Sequence, residues 1–368
     1  MIRSPNTAHG RGRPVPASVL PSWRLGQSAG EWREITGSSP SLCIPTVDLS
    51  FGSPSKITDA WGGLSIDTRT DDIWVLAGGG HADYAGNELR VCRMSVDAPA
   101  WVERYRCDAS WQPDVPYYSP SGHPQSAHCY YQQQFCEARN RAMRFGAYGG
   151  TGASLYYPSV DGFNSTLAVG VDGYDPAGTY PDIPGIYPDS ATCKDPRNED
   201  VWIFQSNAYI ARWNQVANTM DTLTTDISVT YSGCGSAFDT LRNRIFLLSP
   251  STCITIDPAD PTAESLRTLT GDYDTFFIDN NEYQLGVIYE PALDAFLVRR
   301  RASGGAIYKI DAGTFATSLL TTTDGDSLPA AADSSAGGPY NRFLYSPNLS
   351  GVFWLPKHAD NFWFCRTH

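Results

Sequence analysis

One pattern recurs six times and constrains the fold more than anything else in the chain. An acidic or small polar residue leads into a short turn holding Arg, Asn or Asp, and a run with a large aromatic follows. The copies read IDTRTDDIWVL (66–76), CEARNRAMRF (136–145), KDPRNEDVWIF (194–204), FDTLRNRIFLL (238–248), YEPALDAFLV (289–298) and YSPNLSGVFWL (345–355). Their anchors are Trp74, Phe145, Trp202, Phe246, Phe296 and Phe353. Each copy has the turn chemistry of a β-hairpin, because Asp and Asn tolerate tight turns. A single hairpin sheet cannot bury both faces, but sheets stacked radially bury each other's, which explains the large anchors.

The pattern therefore predicts an all-β fold: a single β-propeller of six four-stranded blades, with room for a seventh hairpin within residues 150–190. The third and fourth strands of the first blade are expected at Glu88–Met94 and Trp101–Tyr105, and those of the fourth at Thr252–Ile256 and Ser265–Leu269. The last blade lacks a fourth strand, since the sequence stops soon after Phe362-Trp363-Phe364-Cys365. Residues Trp32–Thr36 have strand character and are expected to complete that blade and close the ring. Residues 1–30 then form an N-terminal arm, and residues 31–368 the propeller.

Composition agrees with short strands and many turns: charged residues are 18%, with 33 Gly and 26 Pro, and no long run has helical periodicity. The net charge of −12 argues against nucleic-acid partners, because like charges repel along the approach. No apolar run reaches the roughly 20 residues of a membrane span, so no membrane insertion is expected. Residues 1–22 lack the apolar segment of a secretory signal peptide. A virion or extracellular location reached by release, with cytoplasmic synthesis before it, fits that absence. The nine cysteines are odd in number and contain no CxxC, leaving buried thiols and disulfides both open.

The stretches Trp74-Val75-Leu76-Ala77-Gly78-Gly79-Gly80 and Phe145-Gly146-Ala147-Tyr148-Gly149-Gly150 resemble the kelch repeat, in which a strand ends on a Gly pair. Trp101 fits the same layout. The chain thus resembles a kelch/galactose-oxidase-like propeller over its first two blades. GGGHADYAGNE (78–88) is similar to uncharacterised propeller proteins of bacteria, prophages and tailed phages. The resemblance implies a fold and a setting, not an activity. Copper-oxidase ligands do not align onto this chain, and no cofactor is expected.

Propeller geometry gathers residues that are distant in sequence. Loops between second and third strands share one face with the connections between blades. Three loops meet there: one with His81, Asp83, Tyr84 and Asn87, one with His358 and Asp360, and one with His123, His128 and Tyr130. The tripeptide His-Ala-Asp occurs at 81–83 and at 358–360, in adjacent blades. Arg301 ends the second strand of the fifth blade.

Several chemistries suit this cluster. Aromatic faces stack on sugar rings while Asp83, Asn87, His123, Tyr130, Arg301, His358 and Asp360 bind hydroxyls and carboxylates. β-Elimination on a uronic-acid polymer would use His81, His128 and Tyr84 as base and acid. A metal site from His81, His128 and His358 lacks the usual spacing, and no metal ligand is assigned. Plain hydrogen bonding of these side chains to nearby backbone is the remaining reading. The function expected is a propeller that recognises a saccharide or docks to an assembly, as in a phage tail component that binds a host surface glycan as receptor. Its partners are a glycan or polysaccharide and, through residues 1–30, other virion proteins. A polysaccharide lyase is the alternative.

Overall fold

The computed structural model describes residues 20–43, 52–76, 84, 86–105, 126, 128–138, 140–148, 156–164, 191–204, 209–224, 234–249, 252–272, 284–300, 304–325, 328–329 and 338–368. They form a β-propeller whose sheets are antiparallel but for one short parallel pair in the fifth. The first strand, β1 (Trp32–Ile35), belongs to the last sheet. The first sheet holds β2 (Ser65–Asp67), β3 (Asp72–Leu76), β4 (Leu89–Arg93) and β5 (Trp101–Tyr105). The second holds β6 (Gln133–Cys136), β7 (Arg141–Tyr148) and β8 (Tyr156–Asn164). The third holds β9 (Ala191–Lys194), β10 (Val201–Phe204), β11 (Tyr209–Asn214) and β12 (Thr219–Thr224). The fourth holds β13 (Gly235–Asp239), β14 (Arg244–Ser249), β15 (Thr252–Asp257) and β16 (Asp260–Leu266). The short β17 (Thr270–Gly271) then joins the fifth sheet, alongside β18 (Gly286–Glu290), β19 (Ala295–Arg299), β20 (Ile307–Asp311) and β21 (Ala316–Leu320). The last sheet is β22 (Phe343–Ser346), β23 (Gly351–Trp354) and β24 (Phe362–Arg366), with β1 at its outer edge.

Five of these sheets are complete blades of four or more strands; the second has three among the described residues. The six four-stranded blades expected from sequence are thus corrected to five among the described residues. No seventh sheet occurs among the described residues. The inner strands β2, β6, β9, β13, β18 and β22 touch in succession, and β22 returns to β2. Each gap between neighbouring sheets is filled by its own apolar cluster. All six anchors of the repeat are buried in these clusters. Phe246 and Phe296 stack across the gap between the fourth and fifth sheets at 3.9 Å between ring centroids. Burying such a ring is worth about 2–3 kcal/mol against leaving it in water.

Closure follows the expected route. Trp32 pairs with Cys365 and Ile35 with Phe362. Residues 20–30, expected in the arm, pack on the last blade: Trp23 meets Phe364 edge-on, and Gln27 Nε2 donates to the Phe364 carbonyl at 3.0 Å. Residues 1–19, the Gly pairs at 78–80 and 149–150, and residues 165–190 of the stretch with room for a seventh hairpin lie outside the described residues. One strand needs correction. The fourth strand of the fourth blade begins at Asp260, not Ser265, because Asp257 Oδ1 accepts from the Ala259 N–H and turns the chain at once. The eight described cysteines are buried; Cys107 lies outside the described residues.

The repeat itself is the hairpin turn between the first two strands of each sheet. The acid ending the inner strand accepts turn N–H groups: Asp67 from Arg69 at 3.0 Å, Asp195 from Arg197 at 3.0 Å, and Asp239 from Arg242 at 3.0 Å. Glu290 accepts from Ala292, and the Ser346 hydroxyl takes the same place in the last blade. A left-handed residue follows in every turn: Asp71, Asn140, Glu199, Asn243, Asp294 and Ser350. This turn face is also laced between blades. Thr68 Oγ1 donates to Glu137, Arg242 pairs with Asp294, and Tyr345 Oη donates to Glu290 at 3.0 Å. At the closing seam Ser346 Oγ donates to Asp71 Oδ1 at 2.6 Å.

Candidate functional site

Opposite the turn face lies the mouth, where connections between blades lead down into the inner strands. Three of these lead-ins, to the last, first and second blades, are joined to one another. A single helical turn, α1 (Lys56–Asp59), stands just before Trp61 and β2. The Trp61 carbonyl accepts from the N–H groups of Cys129 and Tyr130, at 3.1 and 2.7 Å. Gly63 admits this approach: a Cβ there would lie 2.1 Å from the Tyr130 carbonyl oxygen. Asn341 Nδ2 donates to the carbonyls of Tyr131 and Gln133, tying the lead-in of the last blade to that of the second. Tyr131 Oη reaches across to the Leu285 carbonyl before the fifth blade, at 3.0 Å.

Aromatic rings accumulate at this junction. Trp61 lies 4.3 Å from His128 between centroids, and Tyr130 meets Tyr340 edge-on at 5.4 Å. Tyr131 packs on the same Tyr340 at 5.3 Å. His128, Tyr131 and Tyr340 are buried, whereas Trp61 and Tyr130 are half-buried. Three of the rings sit on left-handed backbone: Trp61 at φ 50°, Tyr130 at φ 41° and Tyr340 at φ 37°. Bulky side chains rarely adopt that region, at a cost of order 1–2 kcal/mol each. The surrounding hydrogen bonds must hold them there, and such outliers gather at functional sites.

The seam beside this cluster is polar and enclosed. His358 is buried, and its backbone N–H donates to Asp59 Oδ1 at 2.7 Å. Its Nδ1 lies 3.2 Å from Thr58 Oγ1, and its carbonyl accepts from Ser41 N and Ser39 Oγ. Burial, and then the Arg90 charge, lower the His358 pKa to about 4, so the imidazole is neutral at ordinary pH. Burial also raises the Asp59 carboxyl, and it brings the nearby Arg342 guanidinium down to about 10. Arg342 Nη1 stands 4.0 Å from Asp59 Oδ1.

Of the residues expected from sequence, His128 and Tyr130 are in the aromatic cluster, and His358 is at the adjoining seam. Asp360 is half-buried on the His358 loop, and burial raises its carboxyl. Tyr84 is enclosed: its hydroxyl donates to Glu88 Oε1 at 2.9 Å, and Arg90 pairs with the same carboxylate. Asn87 is fully buried. His81, Asp83, His123 and Arg301 lie outside the described residues. Sequence reasoning missed Trp61, Tyr340, Thr58 and Asp59. A signal existed: Trp61-Gly62-Gly63 and Tyr340-Asn341-Arg342 each stand just ahead of an inner strand, as His128 and Tyr130 do. No group of three or more His, Cys, Asp or Glu that would hold a metal is found among the described residues.

What the junction offers chemically is two half-exposed aromatic faces beside a neutral, hydrogen-bonded imidazole. That suits stacking on a ligand with apolar ring faces.

No protein-family model matches the chain, and no curated protein matches it. Among solved structures it is similar to YjhT at 9% identity and TM-score 0.51, over 85% of this chain and 95% of that one. A protein of unknown function from Bacteroides thetaiotaomicron aligns at 11% identity and TM-score 0.49, over 90% of this chain and 74% of that one. Virginiamycin B lyase from Staphylococcus aureus aligns at 12% identity and TM-score 0.43, over 82% and 93%. These neighbours are β-propeller proteins. At such identities the likeness to YjhT concerns fold alone.

Proposed function

We propose that this propeller recognises a saccharide at its mouth, with Trp61 and Tyr130 as the stacking faces. One observation carries the reading: two half-exposed rings are held on left-handed backbone at the meeting point of three lead-ins. Rings fixed before binding lose little freedom when a ligand arrives, and this favours affinity. Tyr130 and Asp360 keep the ligand-contact roles expected from sequence, joined by Trp61, while the buried His358 is set back from the ligand. The finer setting, a kelch-like component of a phage tail or virion that binds a host glycan, rests on the sequence resemblance and belongs to the same proposal.

Calorimetric titration against a panel of neutral and acidic polysaccharides tests it. Binding to at least one is expected, with Trp61→Ala weakening it about tenfold, the order of a ring stack plus its buried area. Equal affinity in Trp61→Ala would sink the stacking role. Appearance of an unsaturated, ultraviolet-absorbing product would replace recognition by the lyase reading.

A further inference from the structure

We propose that His358 is the positioning residue of the mouth: neutral, it fastens α1 and hence Trp61 to the last blade, and protonated, it releases that corner. The proposal rests on reading the mouth as a binding site, but its test uses no saccharide.

The geometry is a three-way junction. The His358 backbone holds the N-terminal loop at Ser39 and Ser41 and α1 at Asp59, and its imidazole holds α1 at Thr58. Trp61 stands two residues past Asp59, so the helical turn and the ring move as one short segment. Beyond that segment, Trp61 is tied to the second blade by its carbonyl and by its stack on His128. Loss of the imidazole–Thr58 contact leaves the Asp59 carboxylate as the remaining tie from His358 to this end of the segment, so the corner loosens.

The charges around the imidazole set the direction of the switch. Arg90 projects from β4, with Nε and Nη1 buried and without partners, and opposes a second cation. Its salt-bridge partner Glu88 offsets part of that charge. Arg342, before β22, adds positive charge on the far side of Asp59. Asp59 is the nearest anion, with Lys56 on the same helical turn, and it already accepts the His358 backbone N–H. Lys357 and Asp360 flank the ring on its own loop, with Glu34 beside Asp360. Burial outweighs all of these and keeps the ring neutral until acid pH. An imidazolium there is a buried cation facing Arg90, and opening the junction to water relieves it.

The experiment labels the full chain with 5-fluorotryptophan and follows the Trp61 fluorine resonance, assigned with Trp61→Phe, during acid titration. Circular dichroism at each pH confirms that the chain stays folded. The expected result is a reversible shift with a midpoint of about 4. The shift should vanish in His358→Gln and survive in Thr58→Ser, which keeps the hydroxyl. A Trp61 resonance that stays fixed through that range in folded protein overturns the proposal, as does the same transition in His358→Gln. If His358→Gln does not fold, Thr58→Val decides: an unaltered midpoint overturns the proposal, and a displaced or lost one supports it. Failure of saccharide binding leaves this outcome untouched, so the two readings fail separately.

Discussion

The turn face and the mouth solve the same backbone problem with opposite residues. Both hold non-glycine residues in the left-handed region. In the hairpin turns between the first two strands these are Asp71, Asn140, Glu199, Asn243, Asp294 and Ser350, mostly short polar side chains that bear the conformation at low cost; Phe315, in the neighbouring β20–β21 turn, is an aromatic exception. At the mouth they are Trp61, Tyr130 and Tyr340, for which it is expensive. The turn face repeats because each blade needs the same hairpin. The mouth does not repeat, and its strain is confined to three adjacent lead-ins. The repeated turns are built for closure; the mouth gathers three costly residues at one junction, as a binding surface does.

That contrast can be broken by experiment. The largest expected effect is on the turn face. Glu290 is fully buried and accepts from Ala292 N, Tyr345 Oη and Thr367 Oγ1, so Glu290→Ala removes three hydrogen bonds at once. A loss of about 3 kcal/mol in urea unfolding is expected, with saccharide binding unchanged. A matching loss of binding would show that the faces are not separable.

Acid titration of stability comes next, because the two faces pull in opposite directions. His358 has a folded pKa of about 4, below its unfolded value. Its contribution is complete above the unfolded pKa of about 6.5 and is lost as pH falls through the folded one, a change of order 3 kcal/mol. Asp71, buried at the turn-face seam, has its pKa raised to about 6, chiefly by burial. Its contribution is present below the unfolded value of about 3.9 and is lost as pH rises through 6, a change of similar size. The two nearly cancel in the intact chain. His358→Asn should therefore gain stability between pH 6 and 4, and Asp71→Asn should lose it; parallel curves for both variants would contradict the assignment.

Smaller effects sharpen the comparison. Trp61→Ala should weaken saccharide binding about tenfold while costing about 1 kcal/mol or less of stability, since the ring is half-exposed. Asn243→Gly should stabilise the chain by a few tenths of a kcal/mol by relaxing its left-handed backbone. Tyr130→Gly relaxes the same strain but removes a stacking face, so binding should fall. If both glycine variants behave alike, left-handed geometry at the mouth has no separate meaning.

The turn face was legible from sequence and the mouth only in part, for physical reasons. Asp67, Asp195 and Asp239 announce themselves because each must accept turn N–H groups within two or three residues. The anchors follow six to eight residues after the turn acid or its Ser346 counterpart and fill the gaps between sheets, so Trp74 through Phe353 were readable as core. Trp32–Ile35 could be placed because the last blade lacked an outer strand. Trp61 and Tyr340 belong to no repeat, and nothing local announces a positive φ at an aromatic. Their partners, His128 and Tyr130, were found from loop position alone. The role of His358 as a junction could not be seen, since Thr58 and Asp59 lie about 300 residues away in sequence. The fourth strand of the fourth blade was misplaced because its outward residues carry little apolar pattern.

The pairing of β1 with β24 has a consequence for how the protein comes into being on the ribosome. The strand that finishes the ring is translated before the other strands of the propeller, and its mates after them. Trp32 and Ile35, both buried in the finished protein, must wait through the synthesis of every blade for Phe362 to Cys365 to emerge. During that interval the nascent chain carries an unpaired apolar strand at one end and an unfinished sheet at the other. A chaperone that shields residues 32–35 would protect the nascent chain during this interval.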